Sequence, residues 1–328
     1  MFNTPILLIT FNRPSHTSKV LEVISVQQPK QLFVFQDGAR EGNENDIVKC
    51  EEVRQVIKDL VDWDCDLQTY YSDVNLGCGA GPMTGIDWFF SNVEKGIVME
   101  DDCLAHPDFF EYCEELLEKY DNDDNDDNVE FINSTLYDNR WICEDSYGFS
   151  RYMVTGAWAS WASVWKGFDL DLLSLNAKKF RKHCQNLLKN KIEADWWYFK
   201  VLEIQQDRSK KSYWDYQMQI HLFLHDAVTI HPQRNLISNI GFDAEGTHTL
   251  TNDGRGDKEV YPILPLNHPK EIIVDDKKDA YCFAKDKSKG LIKDKISFIY
   301  RSMLYSQGLL HKVLGLYKKI KGKEFNNA

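Results

Sequence analysis

Short apolar runs alternate with amphipathic stretches through the first third of the chain. Ile6-Leu7-Leu8-Ile9, Leu32-Phe33-Val34-Phe35, Leu67 to Tyr71 and Gly96-Ile97-Val98-Met99 read as strands. The segments after them carry apolar residues at helical spacing. Ser15 is placed to cap a helix running through Ile24, Glu44 to Leu60 reads as a second helix, Gly81 to Val93 as a third and Pro107 to Tyr120 as a fourth. Runs of four or five apolar residues without alternation suit strands buried on both faces of a parallel sheet. Strand and helix in strict alternation, joined by short links, predict right-handed crossovers and a doubly wound α/β sheet. Val129 to Ser134 adds a fifth strand. Beyond it, Gly156 to Trp165 is dense in tryptophan and small residues, 171–211 is helical and basic in patches, and 213–224 is aromatic-rich. A polar, glycine-containing loop spans 235–249, a weakly patterned stretch with three prolines spans 254–290, and a helical pattern returns from Gly290.

Composition narrows the classes. The chain has 328 residues, 43% of them hydrophobic, enough for a large α/β domain with an extension. Its net charge of −12 excludes a general nucleic-acid binder. Residues 285–323 depart from that average, with eleven Lys and Arg against two Asp. There, Ile292, Ile296, Ile299 and Met303, and later Leu310, Val313 or Leu314, Tyr317 and Ile320, repeat at helical spacing between lysines. Two readings stand for this tail: a basic amphipathic helix on an anionic membrane, or a helix packed on the body. The eight cysteines form no CxxC pair, which makes a structural zinc site a poor fit. With no signal peptide or long apolar span, free thiols in a reducing cytoplasm are expected. The acidic run 121–128 reads as a solvated turn, because an EF-hand loop starting at Asp121 would place Asp126 and Ile132 where Gly and Glu are needed.

The chemistry concentrates after the fourth strand, at Glu100-Asp101-Asp102. Three carboxylates at a strand's carboxyl end fall where open α/β sheets bind ligands. A divalent cation would relieve their repulsion, whereas a solvated acidic turn would need none. Asn12-Arg13 follows the first strand and Asp37 the second. A guanidinium there can pair with phosphate, and a carboxylate can accept hydrogen bonds from a base or ribose. Asp37 also fits a plain Asp-Gly turn. Asn75, Gly77, Gly79 and Gly81 precede the third helix and would let the backbone approach a diphosphate, or simply form a flexible turn.

Glu-Asp-Asp followed by Pro-Asp-Phe-Phe-Glu-Tyr (107–112) resembles the metal-binding segment of the N-acetylglucosaminyltransferase I type of glycosyltransferase. Bacterial proteins of the "hemolytic protein HlpA-like" group carry a similar pattern. The resemblance runs over roughly residues 4–250 in scattered motifs. It implies a GT-A-like (Rossmann-like) fold with a mainly parallel sheet. Residues 1–250 would form the catalytic domain, and 251–328 a C-terminal extension with basic helices. It also implies transfer of a sugar from a nucleotide-sugar, a UDP-sugar in particular, to a glycan or lipid-linked glycan. Asp102 would contact Mn2+ or Mg2+, with Glu100 and Asp101 orienting ribose, donor sugar or the metal's waters. Asp37 resembles the uracil-contacting aspartate, and Asn12, Arg13, Asn75 and Gly77 would line the donor pocket. Trp214-Asp215 resembles the family's acceptor-site pair, with Asp215 as the base of an inverting transfer. The family continues with a second aspartate and a tryptophan where this chain has Tyr216 and Gln217. Gly156 and Trp158 resemble an acceptor-side segment, with Trp158 and Trp161 sharing a helical face. His248 falls in a loop similar to one that orders over bound donor. Two rival readings remain: a sugar nucleotidyltransferase, and an inactive glycan- or membrane-surface-binding protein.

Overall fold

The computed structural model describes residues 2–121, 128–136, 144–206, 213–241, 258–286, 300 and 303. The acidic run 121–128 falls mostly outside these residues. His248 and nearly all of the basic tail lie outside them.

Two compact units divide the chain. The first comprises residues 1–168, 211–215 and 226–275. It opens with β1 (Ile6–Thr10), α1 (Pro14–Gln27), β2 (Gln31–Gln36), α2 (Glu44–Leu60), β3 (Asp66–Tyr71), α3 (Gly77–Phe90) and β4 (Lys95–Glu100). These reproduce the expected alternation, with α2 at the expected bounds. β5 (Cys103–Ala105), α4 (Asp108–Lys119), β6 (Val129–Asn133), β7 (Tyr147–Ser150), β8 (Ala157–Trp161) and α5 (Ala162–Trp165) follow.

The second unit comprises residues 169–210, 216–225 and 276–328. It holds α6 (Ala177–Leu187), α7 (Lys191–Gln206), all but the first residue of α8 (Asp215–Leu224), and α9 (Asp276–Asp286). β9 (Val228–Pro232) and β10 (Ile237–Asn239) belong to the first unit. The sequence's division at residue 250 does not coincide with this one: 226–275 stays with the sheet, and the helical unit begins at 169. Inside the helical unit α6 packs on α7, Arg181 pairs with Asp195 at 2.6 Å, and Trp196, Trp197, Tyr216, Phe223 and Phe283 form an aromatic core.

One sheet of eight strands runs β3-β2-β1-β4-β8-β6-β9-β7, and β10 pairs antiparallel with β5 in a small second sheet. β3, β2, β1 and β4 are mutually parallel. β8 enters antiparallel between β4 and β6, β9 runs parallel to β6, and β7 closes the edge antiparallel to β9. The sheet is therefore mixed, with its parallel half at the N-terminus. β1 is buried along its whole length and β2 and β4 over most of theirs, as their unbroken apolar runs require. Edge strand β3 is polar and partly exposed, which discourages pairing with another chain.

The topology fixes where a ligand can sit. The chain winds from β1 to β2 to β3, then returns past β1 to β4. Right-handed crossovers put α1 and α2 on one face and α3 on the other. The carboxyl ends of β1 and β4 thus flank the switch point of the parallel half, where helices diverge and leave a crevice.

Candidate active site

A cavity of about 460 Å³ opens at this switch point, within the range of small-ligand sites. Arg13 enters it from the end of β1, Glu100, Asp101 and Asp102 from the end of β4, Asp37 from the end of β2, and Asp215 from the start of α8. Register explains the first two groups. β1 and β4 pair Ile9 with Glu100, and the Asp101 amide donates to the Ile9 carbonyl at 3.0 Å, so the two strand ends leave the sheet side by side.

α1 starts earlier than the Ser15 cap predicts. Proline fits the first helical position because its missing N–H is not needed there. The helix accordingly begins at Pro14, with Arg13 in the cap position. Thr17 then donates to the Arg13 carbonyl through its amide at 3.0 Å and its hydroxyl at 2.9 Å, fixing the backbone of residue 13. The side chain reaches across to β4: Nη2 donates to Asp101 Oδ1, and Nη1 donates to Asp102 Oδ2 at 3.1 Å. Burial works against the Arg13 charge, but Asp101 and then Asp102 outweigh it and raise its pKa.

The three carboxylates differ in their surroundings. Asp101 and Asp102 are buried, and Glu100 keeps part of its surface on the cavity. Burial, then the charges of Asp102 and Asp101, pushes Glu100 up to about 8. Burial also raises Asp101, against the pull of Arg13. Asp101 Oδ2 is buried and has no hydrogen-bond partner among the described residues. Asp102 Oδ1 accepts from Asn239 Nδ2 at 3.3 Å and from the Cys103 thiol at 3.5 Å.

Divalent cations of the phosphate-binding kind take oxygen donors. The carboxylates here fit that requirement, and Asp101 Oδ2 is a buried acceptor without a hydrogen-bond partner among the described residues. Among the described residues no three His, Cys, Asp or Glu side chains converge as a shell. A cation here would therefore complete its coordination with phosphate oxygens and water.

Asp37 behaves differently. Its Oδ1 accepts from the amides of Gly38 at 2.9 Å and Leu76 at 2.8 Å; its Oδ2 accepts from the Gly77 amide at 2.9 Å and Asn75 Nδ2 at 3.1 Å. Two bonds on each oxygen fill an ionised carboxylate. The uracil-contacting role implied by the resemblance would need acceptor capacity that this carboxylate has already used. Asp37 instead caps α3 from a neighbouring strand, holding the turn that contains Gly77 at φ +81°. This explains why α3 begins at Gly77, four residues before the predicted start, despite Gly77, Gly79 and Gly81 in its first turns.

Other expected site residues separate in the structure. Asn75 and Gly77 line the cavity wall beside Asp37. Asn12 donates to Asp46 Oδ1 at 2.7 Å and is absent from the lining, so it braces the start of α2. Trp158 is a correction: it lies on strand β8, opposite Val98 of β4, not on a helix with Trp161. At 1% exposure it is core, stacked on Phe131 at 4.8 Å and on Trp165 at 5.5 Å. Trp214 does line the cavity, backed at 6.0 Å by both Trp158 and Trp165. Gly156 is likewise outside the lining. Its carbonyl accepts from the Glu100 amide at 2.9 Å, so it pins the end of β4.

Sequence reading missed Arg40, Asn239 and Gly241. Arg40 lines the cavity over the Phe11 ring, 5.6 Å from its centroid, and is held by Asp46. Pairing of β10 with β5 sets Asn239 opposite Cys103, and Asn239 Oδ1 then accepts from the Gly241 amide at 2.8 Å. At Gly241 a Cβ would lie 2.2 Å from Asp102 Oδ2 and 3.1 Å from Arg13 Nη1. Only glycine fits where the backbone passes that close. No local spacing signals Asn239 or Gly241, since a long-range strand pairing brings them in.

The fold and cavity define an α/β protein with a carboxylate-lined cavity at the sheet's switch point. No family model and no curated protein matches the chain. Among solved structures it is similar to the mannosyltransferase PcManGT from Pyrobaculum calidifontis in complex with GDP-Man and Mn2+, at 12% identity over 68% of this chain and 69% of that one, TM-score 0.39. It is also similar to the galactosyltransferase LgtC with donor and acceptor sugar analogues, at 13% identity over 67% and 70%, TM-score 0.34. A third is an apo UDP-glucose pyrophosphorylase, at 10% identity over 71% and 90%, TM-score 0.36. At these scores the likeness adds no weight to a particular reaction.

Proposed function

We propose that this protein transfers a sugar from a nucleoside-diphosphate sugar, UDP-linked by the resemblance of its motifs, to a hydroxyl of a glycan or lipid-linked glycan. The observation that carries this reading is the meeting of Glu100, Asp101 and Asp102 with Arg13 and Asp215 in one cavity at the switch point. Anionic carboxylates alone would repel a diphosphate. With Mn2+ or Mg2+ bound to Asp102 they become its seat, and the metal would neutralise charge developing on the leaving diphosphate. Arg13 is within reach to pair with a phosphate once it leaves the carboxylates. Asp215 is assigned the proton of the acceptor hydroxyl, and Trp214 an apolar face for the acceptor ring. A single base of this kind belongs to direct displacement, so the transfer would invert the anomeric centre.

Nucleotidyl transfer is the rival chemistry for such a pocket. The segment at the end of β1 and the start of α1, Thr10-Phe11-Asn12-Arg13-Pro14, has one basic residue and no glycine to wrap a triphosphate. Among the described residues no helix is long and apolar enough to cross a membrane. The basic tail would hold the protein at the inner face of an anionic membrane, and salt-sensitive sedimentation with anionic liposomes tests that part. The decisive experiment is binding and turnover of nucleotide-sugars with and without Mn2+. Release of nucleoside diphosphate with an inverted product supports glycosyl transfer. Formation of nucleoside triphosphate from pyrophosphate would assign the rival, and a retained anomer would remove Asp215 from its role.

A further inference from the structure

Resting on the reading above, the geometry points to Arg13 as a resident counter-cation. It holds the Asp101 and Asp102 carboxylates against a free divalent ion and yields them when a diphosphate takes over its guanidinium. Metal would then bind tightly only together with nucleotide.

Four observations support this exchange. First, one guanidinium spans both carboxylates, so it occupies the charges a metal would need. Second, the guanidinium also lines the cavity and its side chain keeps 15% of its surface exposed, so it can turn toward a ligand without unfolding anything. Third, Thr17 anchors the backbone of residue 13, so a guanidinium that turned to a ligand would exchange its carboxylate partners while its backbone stayed in place. Fourth, the backbone at Gly241 passes so close to the pair that an added Cβ would lie 2.2 Å from Asp102 Oδ2 and 3.1 Å from Arg13 Nη1, so no side chain at 241 stands against them. A divalent ion placed beside Arg13 would meet a like charge within a few ångströms, in a setting where such repulsion is only partly screened. A diphosphate removes that repulsion by drawing the guanidinium to its own oxygens, which match the guanidinium fork.

The test measures Mn2+ binding directly, by the electron paramagnetic resonance of the free ion. It uses the full chain as wild type, Arg13→Lys and Arg13→Gln, each with and without saturating UDP. Wild type should bind Mn2+ weakly alone and at least about tenfold more tightly with UDP. Arg13→Gln should bind Mn2+ alone about tenfold more tightly than wild type, and UDP should then add little. Arg13→Lys keeps one charge but loses the fork, and should fall between. The variant's melting temperature should also rise more on adding Mn2+ than that of wild type. If Arg13→Gln is unstable without metal, refolding that Mn2+ rescues supports the exchange, and failure of Mn2+ to rescue it overturns it. Unchanged or weaker Mn2+ affinity in Arg13→Gln, with the UDP enhancement intact, also overturns it. A wild type that takes up no Mn2+ even with UDP would instead bring down the metal reading itself.

Discussion

Asp37 and the Asp101-Asp102 pair lie at the same carboxyl end of the parallel strands, after β2 and β4, and both are buried. Asp37 is fully occupied: four donors, three of them backbone amides, saturate its oxygens. Asp101 and Asp102 share one counter-ion, Arg13, and Asp101 keeps an oxygen without a hydrogen-bond partner among the described residues. The first arrangement builds structure, because rigid amides cannot be exchanged for a ligand. The second leaves charge and acceptor capacity in reserve, which is costly for folding and useful for binding. Substitutions at the two places should therefore separate stability from function.

The largest effect is expected on activity at the β4 end. Asp102→Asn keeps the size and most hydrogen bonds but removes one of the two negative charges. Transfer and Mn2+-supported UDP binding should fall by roughly 10²-fold or more, a loss on the scale of a removed transition-state electrostatic contact. The thermal midpoint should stay close to wild type. Calorimetry with UDP and Mn2+, alongside a melting curve, checks both halves. Unaltered metal-dependent binding would take Asp102 out of the site.

The opposite pattern is expected at the β2 end. Asp37→Ala leaves the amides of Leu76 and Gly77 without their acceptor and removes the cap of α3. Loss of several charge-assisted bonds at a buried site should cost about 2–4 kcal/mol, read as a lower denaturant midpoint. The folded fraction should still bind Mn2+ and UDP. A stable Asp37→Ala with lost UDP affinity would restore the direct base contact that the filled carboxylate argues against.

This contrast also marks where sequence stops being informative. The first four strands, the strand from Val129, α2, and the place of Glu100-Asp101-Asp102 are legible in local periodicity, whereas β5, β7, β8, β9 and β10 are not. The pairing of Asp37 with residues 75–77 spans almost forty positions and could not be read from an Asp-Gly dipeptide. The same holds for Asn239 and Gly241, brought to Asp102 by pairing of β10 with β5. Trp158 went astray for a different reason. Tryptophan at i and i+3 suits a helix face, but small residues between them suit a buried strand equally well, and burial between β4 and β6 decided it.

A narrower test targets the space around the pair. Gly241→Ala would place a methyl 2.2 Å from Asp102 Oδ2, so the carboxylate or the 241 backbone must move. Overpacking of this kind costs about 1–3 kcal/mol. It should weaken Mn2+-supported UDP binding more than it lowers the melting temperature, because the strain falls on Asp102 and Arg13. A Gly241→Ala protein with wild-type affinity would show that the loop gives way instead.

The smallest effect is a proton balance, and it separates the two places without changing either. Glu100 is held at about 8, against an ordinary 4.5, by burial and by its two acidic neighbours. The folded protein therefore binds more protons at this position than the unfolded chain does between those values. Stability contributed by Glu100 is greatest below about pH 4.5 and is lost as pH rises through about 8. A cation on Asp102 would reverse the repulsion that keeps Glu100 protonated. Binding of Mn2+ with UDP at pH 6 should then release up to about one proton from Glu100, and at pH 9 almost none. Calorimetry in two buffers of different ionisation enthalpy measures the release, with a mock titration of UDP and Mn2+ subtracted. Glu100→Gln should reduce the difference between the two pH values to the smaller share that Asp101, raised to about 6, supplies, and should make the fold less sensitive to rising pH. Asp37, whose carboxylate already holds four donors and faces no such exchange, should contribute nothing to it. If Glu100→Gln releases as many protons as wild type, the reserve of charge lies elsewhere than at the end of β4.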